Sequence, residues 1–398
     1  MLRLRFIIKQ MKIVFLTYEA KEIGGSYLRS LSLAQGLTEL GHQVTLWTSA
    51  KKISFLPKVS YEKGVKVVES IGLMPYRFRK GGNDIFDICF RSVAIFFSKC
   101  DVIQSFNHRP AATIPALIKS CFFPKTKWFL DWADLWGRGG IADRRYGPFS
   151  FLTANFDHYA ERLFIRLAFA VTAISDDLVK KAKLIRKNKD NVFFLGVGAN
   201  IKGIKTMSKF VARRKLGLSQ TKKILVYLYV GTYDEELLAK TFIELNCLRK
   251  DVLLMLLGPP IPAFERQIKV HKNLNNKVIY QGVVDRDLLS LYLSTGDLML
   301  LPFADKEINR GKFPNKLGDY LAVGRPTIAN PTGEVKKLLT QEKVGILAPE
   351  TPKKFASAID KSLKQTNKLK QLGKNARSLA DKLSWRTIAQ ELEAFYIK

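Results

Sequence analysis

The sequence predicts an α/β protein with two doubly wound domains that face each other across a cleft. Its 398 residues exceed the roughly 250 to 300 at which one hydrophobic core stops growing, so two domains are expected. Short apolar runs alternate with helical patterns along the whole chain, which is typical of parallel α/β sheets. A polar and basic stretch at residues 199–220 separates one series of strand patterns from the next.

The first series of strand patterns begins directly after Met11. Its buried-strand runs lie at residues 12–17, 43–48, 65–69, 102–106, 128–131 and 170–174. Between the first two runs, a loop with Gly24 and Gly25 leads into an amphipathic helix that Gly41 terminates. Because the first strand starts so soon after Met11, both Met1 and Met11 stay open as the start of translation.

The second series gives the C-terminal half the same architecture. Its strand patterns lie at residues 224–230, 252–258, 278–282, 298–302 and 326–329, and an amphipathic helical pattern follows at 385–396. We therefore predict an N-terminal domain over residues 1–199 and a C-terminal domain over residues 200–380. Residues 381–398 are expected to form a separate C-terminal helix.

The composition is that of a folded and strongly basic protein. With 66 Lys and Arg against 35 Asp and Glu the formal net charge is +31, yet 47% of the residues are hydrophobic, which excludes a disordered basic chain. The longest charge-free run, residues 252–264, is shorter than the about 20 residues that a membrane span needs. No secretory signal pattern is visible and the four cysteines are widely spaced, so a cytoplasmic protein is expected.

The excess positive charge predicts a polyanionic partner, and composition alone leaves nucleic acid, anionic lipid and phosphorylated substrates open. Residues 74–80 combine cations with aromatic side chains, and residues 85–97 add further aromatics. Cations beside exposed aromatics suit the headgroup layer of an anionic membrane, whereas buried aromatics would form core. The sequence has no RNP, KH, zinc-finger or basic-zipper signature, so no specific nucleic acid is predicted.

Residues 307–326 are the most informative segment of the second half. Pro314 can open a helix whose first amides, near Asn315 and Lys316, would meet a phosphate. Arg310 and Lys316 supply cations, and Asp319 lies one turn beyond Lys316 on the same helical face. A cation for phosphate and a carboxylate for two sugar hydroxyls indicate a nucleotide sugar. The alternative is an ordinary surface helix with an ion pair between Lys316 and Asp319.

The loop after the first strand is a second candidate for anion binding. It brings Gly24 and Gly25 to the N-terminus of a helix, where backbone N–H groups and the helix dipole favour negative charge. A plain tight turn is the alternative interpretation of these two glycines.

Residues 130–140 follow a predicted strand, at the edge of the sheet where ligands bind. Indoles stack on the apolar face of a sugar and carboxylates accept hydrogen bonds from its hydroxyls. The side chains of this kind are Asp131, Trp132, Asp134, Trp136 and Arg138. In the alternative interpretation Asp131 caps a helix and both indoles belong to the core. His108 and Arg109, which follow another strand, are also predicted acceptor contacts, and no metal-ligand spacing is present among the histidines.

Several of these segments together resemble family 4 glycosyltransferases of the GT-B fold. Residues 313–330, with Gly333 and Glu334, resemble the donor-site motif of that family. The N-terminal loop and first helix of the family are matched at residues 24–25, 33–37 and 40–45. Further segments match in order and spacing at residues 171–178, 230–231, 258, 280–283 and 292–302. The likeness spans nearly the whole chain, and it implies that the helix within residues 381–398 packs back toward the N-terminal domain.

The resemblance implies a retaining transfer of a sugar from a nucleoside diphosphate sugar, without a catalytic metal or other cofactor, between two Rossmann-like domains. Besides Gly24 and Gly25, it implies donor contacts at Gly231, Thr232, Gly258, Gly282 and Val283. Many members have a histidine–aspartate pair in the loop that corresponds to residues 130–140. Asp131 and Asp134 stand near that position, and both are predicted to be catalytic.

Two positions depart from the family pattern. Asp319 takes the place of the second glutamate of the EX7E pair, which binds the ribose hydroxyls, but Gly311 stands where the first glutamate is expected. The family commonly has cations just after the glycine that matches Gly231, whereas this chain continues with Thr232, a tyrosine and three acids. We therefore expect three cations to carry more of the diphosphate charge: Arg310, Lys312 and Lys316.

We predict a glycosyltransferase of polysaccharide or glycolipid synthesis that acts on a glycan or lipid-linked acceptor at the cytoplasmic face of an anionic membrane. A nucleotide-sugar 2-epimerase of the same architecture and a nucleic-acid-binding protein are the alternatives. The spacing of Asp285 and Asp287 resembles a metal-binding DxD motif, but Asp285 directly precedes a helical pattern and is predicted to be an N-cap.

Overall fold

The computed structural model describes residues 10–145, 147, 149–187, 189–229 and 234–398, with Lys272 described by its backbone only. The chain divides into two compact units, each built on a mainly parallel sheet flanked by helices. The first unit extends to Val197 and includes Trp385–Lys398, and the second covers Gly198–Ser384. The predicted α/β class with two parallel-sheet domains is therefore confirmed.

The sheet of the first unit places the earliest strand at its centre. Its strands are β1 (Lys12–Ala20), β2 (Gln43–Ser49), β3 (Lys58–Glu62), β4 (Val65–Glu69), β5 (Val102–Phe106), β6 (Lys127–Trp132), β7 (Ala170–Ala173) and β8 (Val192–Phe194). They are ordered β3-β4-β2-β1-β5-β6-β7-β8, and only the β3–β4 pair is antiparallel within the described residues. The strand order therefore reverses at β1 and β5, where ligands bind in doubly wound sheets.

Helices cover both faces of this sheet. They are α1 (Gly25–Glu39), α2 (Tyr76–Lys80), α3 (Ile85–Phe97), α4 (Pro110–Phe122), α5 (Ser150–Leu167) and α6 (Asp176–Ile185). A short 3₁₀ turn at Ala142–Arg144 precedes α5. Most of these helices bury an apolar face against the sheet, as amphipathic helices of α/β proteins do. The buried side of α5 is mixed, since Asp157 and Glu161 are buried together with Phe164 and Ile165.

The second unit repeats the architecture with a fully parallel sheet. Its strands are β9 (Lys223–Leu228), β10 (Val252–Leu257), β11 (Val278–Gly282), β12 (Leu298–Leu301), β13 (Thr327–Ala329) and β14 (Gly345–Leu347), in the order β11-β10-β9-β12-β13-β14. Its helices are α7 (Lys209–Lys215), α8 (Glu235–Leu248), α9 (Pro262–Val270), α10 (Arg286–Ser294), α11 (Glu307–Arg310), α12 (Asn315–Ala322), α13 (Gly333–Gln341), α14 (Pro352–Lys364) and α15 (Thr366–Lys382). A 3₁₀ segment spans Lys272–Lys277. None of the helices in the described ranges is both long and apolar enough to cross a bilayer.

The last helix, α16 (Trp385–Ile397), belongs to the first unit and packs on α1. Its buried residues Ile388, Ala389 and Leu392 join the core of that unit. Gly36 of α1 allows the close approach, because a Cβ at this position would lie 2.6 Å from the Cβ of Ala389 and 2.9 Å from the Trp385 carbonyl oxygen.

The contact between α1 and α16 leads to a stability prediction. Gly36→Val is expected to lower the free energy of unfolding by about 1 to 3 kcal/mol, because the added methyl groups overpack this contact. Chemical unfolding followed by circular dichroism measures the loss. Adding Ala389→Gly to Gly36→Val should restore part of it, and an unchanged midpoint for the single variant would contradict the packing described.

Candidate functional site

The loops that follow β1, β5 and β6 meet at the carboxyl edge of the first sheet. Asn107, just after β5, holds them together in a left-handed conformation with φ of 61°. Its Nδ2 donates to the Ser26 hydroxyl at 3.0 Å, and its Oδ1 accepts the backbone N–H groups of Ala133 and Asp134, each at 3.1 Å. The sequence analysis did not single out Asn107. The signal that could have found it is an asparagine directly after a buried strand, because asparagine adopts the left-handed conformation more readily than most residues.

Asp131 does not fit the predicted catalytic role, because it lies in the core. Arg29 binds both of its carboxylate oxygens, at 2.8 and 3.0 Å, and the Thr172 hydroxyl donates a further hydrogen bond at 2.7 Å. Neither Arg29 nor Asp131 is accessible to solvent beyond 1%. Because Arg29 already compensates the charge of the Asp131 carboxylate inside the fold, we assign Asp131 a structural role. Asp134 is partly exposed, so it remains the catalytic candidate of this loop.

Trp132 and Trp136, the two predicted stacking residues, have different environments. Trp132 is buried, and its Nε1 donates to Glu161 Oε1 at 2.8 Å, so it belongs to the core as the alternative interpretation had it. Trp136 is partly exposed. The rings of Tyr18 and His108 meet it edge-on, each with centroids 5.8 Å away.

Arg109 joins the Trp136 cluster as predicted, while Arg138 does not. The Arg109 guanidinium carbon lies 4.7 Å from the centroid of the Trp136 ring. Its Nε donates to the Gly81 carbonyl at 2.6 Å and a terminal nitrogen donates to Asp157 at 2.8 Å. Arg138 is exposed and donates to Asn155 of α5 instead. The acceptor residues that the structure brings together are thus His108, Arg109 and Trp136.

Two acidic residues of α5, Asp157 and Glu161, line the base of this cluster. Burial by itself would raise the pKa of Asp157, but nearby His108 and the guanidinium groups of Arg109 and Arg145 outweigh it and lower the pKa to about 2. Glu161 accepts the backbone N–H of Trp136 and of Gly137, each at 3.0 Å. The helix therefore fixes the loop after β6 through charged groups, a role that the sequence did not reveal.

His108 is the least satisfied side chain of the cluster. It is 1% exposed, and neither ring nitrogen has a hydrogen-bond partner among the described residues. The nearest carboxylate oxygens, of Asp157 and Glu161, lie at 3.8 and 3.7 Å, too far for good hydrogen bonds. Both ring nitrogens of His108 are therefore available for hydrogen bonds to a ligand.

Glu19 occupies the position that the sequence assigned to a bound anion. Its Oε2 accepts the backbone N–H of Tyr27 in the first turn of α1 at 2.8 Å. Gly24, with φ of 85°, is required here, because a Cβ would come within 2.1 to 2.3 Å of the Glu19 carboxyl group. Burial raises the pKa of Glu19 to about 7, and the charge of Asp134 adds to the rise. The turn at Gly24 and Gly25 thus holds a carboxyl group of the chain itself.

In the second unit, α12 is fixed at the carboxyl edge of the sheet by Tyr320. The Tyr320 hydroxyl accepts the backbone N–H of Leu228, at the end of β9, at 2.8 Å and donates to Leu300 of β12 at 3.3 Å. Lys316 and Asp319 share one face of this helix, as predicted, and both are partly buried. Among the described residues no ion pair joins them, which disfavours the surface-helix alternative.

Burial strongly perturbs both of these groups. The Lys316 ammonium lies over the ring of Tyr227, 4.7 Å from its centroid. Burial lowers the pKa of Lys316 to about 7, and the charge of Lys312 adds to the effect. Burial raises the pKa of Asp319 to about 6, against an opposing effect of Arg286. A polyanion would restore the charge of Lys316, and sugar hydroxyls would supply the hydrogen bonds that Asp319 needs when ionised.

The cations near α12 are not equivalent. Arg310 binds both carboxylate oxygens of Asp305, at 2.6 and 2.9 Å. Lys312 and Asn315 lie close to the start of α12, for which Pro314 is the N-cap residue. We therefore rank Lys316 and Lys312 above Arg310 as phosphate contacts, since Arg310 would first have to leave its carboxylate partner.

The sequence analysis also did not single out Asp234, which directly precedes α8. It is buried and accepts hydrogen bonds from Lys306 Nζ at 3.2 Å and Asn309 Nδ2 at 3.1 Å. Helix α11 and the residue before it are thereby tied to the N-terminus of α8, for which Asp234 is the N-cap residue. The predicted donor contacts Gly231 and Thr232 lie outside the described residues.

Three further predicted donor contacts follow β10 and β11. Gly258 has φ of 137°, and a Cβ there would lie 2.1 Å from the Tyr229 carbonyl oxygen, so only glycine allows this approach. Its N–H donates to the carbonyl of Gly282 at 2.7 Å. Val283 is exposed, and Asp285 is the N-cap residue of α10, where the sequence analysis expected it.

The basic and aromatic segment at residues 74–97 is exposed only in part. Tyr76, Phe86 and Phe97 face solvent, whereas Ile88 and Ile95 are buried in the core. Both interpretations of this segment are therefore correct for some of its residues.

Comparison with known proteins identifies the class to which these sites belong. Residues 224–365 match the model of the family described as glycosyl transferases group 1. A relative from Bacillus subtilis strain 168, TuaH, is 22% identical over 234 residues, and its name describes it as a candidate teichuronic acid biosynthesis glycosyltransferase. The match covers 58% of this chain and 58% of TuaH, so the chain spans little more than half the length of that relative.

Two solved structures cover nearly the whole chain. Sucrose-phosphate synthase from Thermosynechococcus elongatus has a TM-score of 0.75, 18% identity and 98% coverage of each chain. Anabaena Alr3699/HepE, in complex with UDP and glucose, has a TM-score of 0.72, 16% identity and coverage of 97% of this chain and 99% of its own. The chain thus has the GT-B fold, and the match to glycosyl transferases group 1 lies in its second unit.

The two aspartates of the loop after β6 are expected to respond differently to neutralisation. Asp131→Asn leaves Arg29 buried without its charge partner, which should cost about 3 to 5 kcal/mol of unfolding free energy and lower the melting temperature. Asp134→Asn should leave the melting temperature within a degree or two and lower kcat instead.

Thermal unfolding and initial rates of the two variants, measured side by side, provide the check. Wild-type stability in Asp131→Asn would contradict the structural role assigned to the Arg29 pair.

Proposed function

We propose that this chain is a glycosyltransferase that moves a sugar from a nucleoside diphosphate sugar to a glycan or lipid-linked acceptor. The observation that carries the proposal is the face of α12 with Lys316 and Asp319. It combines a cation and a carboxylate, both poorly solvated, one turn apart at the carboxyl edge of a doubly wound sheet. Such an arrangement suits a ligand with a diphosphate and a ribose.

On this proposal the diphosphate binds to Lys316 and Lys312, and Asp319 accepts hydrogen bonds from the ribose hydroxyls. Anabaena HepE has been crystallised with UDP and with UDP-glucose, which supports a nucleotide sugar as the donor class. During transfer the bond between the anomeric carbon and the diphosphate oxygen breaks, the acceptor hydroxyl oxygen bonds to that carbon, and the hydroxyl proton passes to the departing phosphate oxygen. The leaving diphosphate keeps the electron pair, and the lysines stabilise its charge.

The acceptor is assigned to the cluster around Trp136 in the first unit. Trp136 offers an indole face to a sugar, His108 has unused hydrogen-bonding nitrogens, and Asp134 is the carboxylate for an acceptor hydroxyl. We further propose that transfer retains the anomeric configuration and needs no catalytic metal, as the family resemblance implies. The basic charge and the exposed aromatics favour work at the cytoplasmic face of an anionic membrane.

Melting temperatures in the presence of UDP-, GDP- and ADP-sugars test donor binding, because a ligand bound only by the folded state stabilises it. One nucleotide series should raise the melting temperature, and the matching sugar should be transferred only when acceptor is supplied. Turnover of the donor alone, with inversion at C2 of its sugar, would indicate a 2-epimerase instead.

Lys316 makes donor binding dependent on pH. Its pKa of about 7 in the free protein means that the ammonium loses its proton as the pH rises above 7. Donor affinity should therefore fall up to about tenfold per pH unit above 7 until the pKa of the complex is reached. Lys316→Arg should abolish this dependence and Lys316→Met should weaken binding at least about tenfold at pH 6.5.

Isothermal titration from pH 6 to 9 measures the effect. The exposed Lys240→Met serves as a control for loss of one positive charge. A pH-independent affinity in the wild type would refute the role of Lys316.

Asp319 should lower stability while it supports binding. Because its folded pKa is raised to about 6 from 3.8, the folded state binds more protons than the unfolded state between these values. Stability is therefore lost as the pH rises through that window. Asp319→Asn should raise the free energy of unfolding by about 1 to 2 kcal/mol at pH 7.5, have little effect near pH 4, and weaken donor binding about tenfold.

Thermal unfolding at the two pH values and donor titration measure these opposite effects. A destabilised variant that binds donor normally would show that Asp319 is a structural residue.

A further inference from the structure

Helix α5 turns large apolar side chains toward solvent, unlike an ordinary surface helix. Large apolar side chains recur on it at spacings of four, three, four and four residues, which places them on one face. They are Leu152, Phe156, Tyr159, Leu163 and Leu167, with exposed fractions of 63%, 63%, 65%, 51% and 49%. We call these five residues the apolar stripe. Surface helices normally turn such a stripe toward the core.

The opposite face of α5 carries its two acids. Asp157 is 3% and Glu161 2% exposed, and they bind Arg109 and the backbone of the loop that holds Trp136. These charged groups attach α5 to the unit together with the buried side chains of Phe164 and Ile165, and this orientation leaves the apolar stripe exposed. The exposed stripe is a consequence of how the proposed acceptor site is built.

We propose that α5 docks on an anionic lipid bilayer, with the apolar stripe entering the headgroup and acyl boundary. The inference rests on the proposed function, because a lipid-linked acceptor would be presented from that surface. An amphipathic helix with an apolar face and flanking cations lies in the plane of such an interface.

The charges around the stripe select a lipid surface as the partner. Arg162 and Arg166 are both exposed, whereas both acids of α5 are buried. Exposed charge on this helix is thus positive, in a chain of net charge +31. Anionic headgroups complement that charge, and each nearby cation strengthens membrane binding. A second copy of the chain would instead bring like charges together.

The basic segment at residues 74–80 reaches the same neighbourhood. Arg109 binds the Gly81 carbonyl that follows α2 and also binds Asp157 of α5. The end of α2 and the inner face of α5 therefore lie on either side of one guanidinium. The apolar stripe and the cluster around Trp136 lie on opposite sides of α5, which suits an acceptor whose sugar stands just above the lipid surface.

Co-sedimentation of the full chain with vesicles tests the proposal. Phosphatidylcholine vesicles, with and without 30% phosphatidylglycerol, serve as probes, and Phe156→Ser/Leu163→Ser is the test variant. The expected result is binding to anionic vesicles by the wild type and a loss of about tenfold or more in the variant. Arg162→Gln/Arg166→Gln should reduce the gain that phosphatidylglycerol provides.

The control Phe210→Ser/Val270→Ser removes apolar groups with exposed fractions of 58% and 79% from the second unit. It should bind vesicles as the wild type does. Equal vesicle binding by Phe156→Ser/Leu163→Ser and the wild type would overturn the proposal. So would a wild-type dimer in lipid-free buffer that this variant converts to a monomer, because the stripe would then be a subunit interface.

Donor binding separates this inference from the proposed function. Phe156→Ser/Leu163→Ser should keep the wild-type shift in melting temperature with the nucleotide sugar, since α12 is untouched. A wild type that binds the nucleotide sugar but no vesicles would refute the docking inference alone. A wild type that binds vesicles but no nucleotide sugar would refute the proposed function.

Discussion

The first unit depends on the buried ion pair between Arg29 and Asp131. Arg29 comes from α1 and Asp131 from β6, and the guanidinium also donates to the carbonyls of Leu195 and Gly196 beyond β8. An unpaired charge at either position would cost about 3 to 5 kcal/mol in the core, so each residue needs the other for full stability. The pair thereby fixes the first helix against the middle of the sheet and positions the loops that form the candidate acceptor site.

The need to compensate buried charges also explains the rest of the candidate acceptor site. Asp157 and Glu161 are buried because Arg109 and backbone N–H groups compensate them, and the partly buried Glu19 packs against the N-terminus of α1. Such compensation holds a loop rigidly, since moving any member exposes an unpaired charge. In the second unit the opposite applies to Lys316 and Asp319, whose perturbed pKa values mark groups that lack full compensation. Groups in that condition are typical of binding sites.

The sequence predicts the strands that consist of continuous apolar runs, and these form the centres of both sheets. It misses β3 (Lys58–Glu62), β8 (Val192–Phe194) and β14 (Gly345–Leu347), because each is an edge strand that is exposed or very short and carries a weak apolar signal. The face of α12 is predictable because Lys316 and Asp319 are local in sequence. The ion-pair partner of Asp131 cannot be predicted locally, because Arg29 lies 102 positions away in the sequence. The outward orientation of the apolar face of α5 cannot be predicted locally either, because it depends on the distant cation Arg109.

The central claim is transfer of a sugar from a nucleotide to an acceptor. Its most direct test follows radiolabelled sugar from the donor identified by thermal shift into an organic-solvent extract of anionic membranes incubated with the full chain. Label should enter the lipid fraction with one nucleoside diphosphate released per sugar transferred. Release of nucleotide, or conversion of the donor sugar, at the same rate with and without membranes would contradict the account.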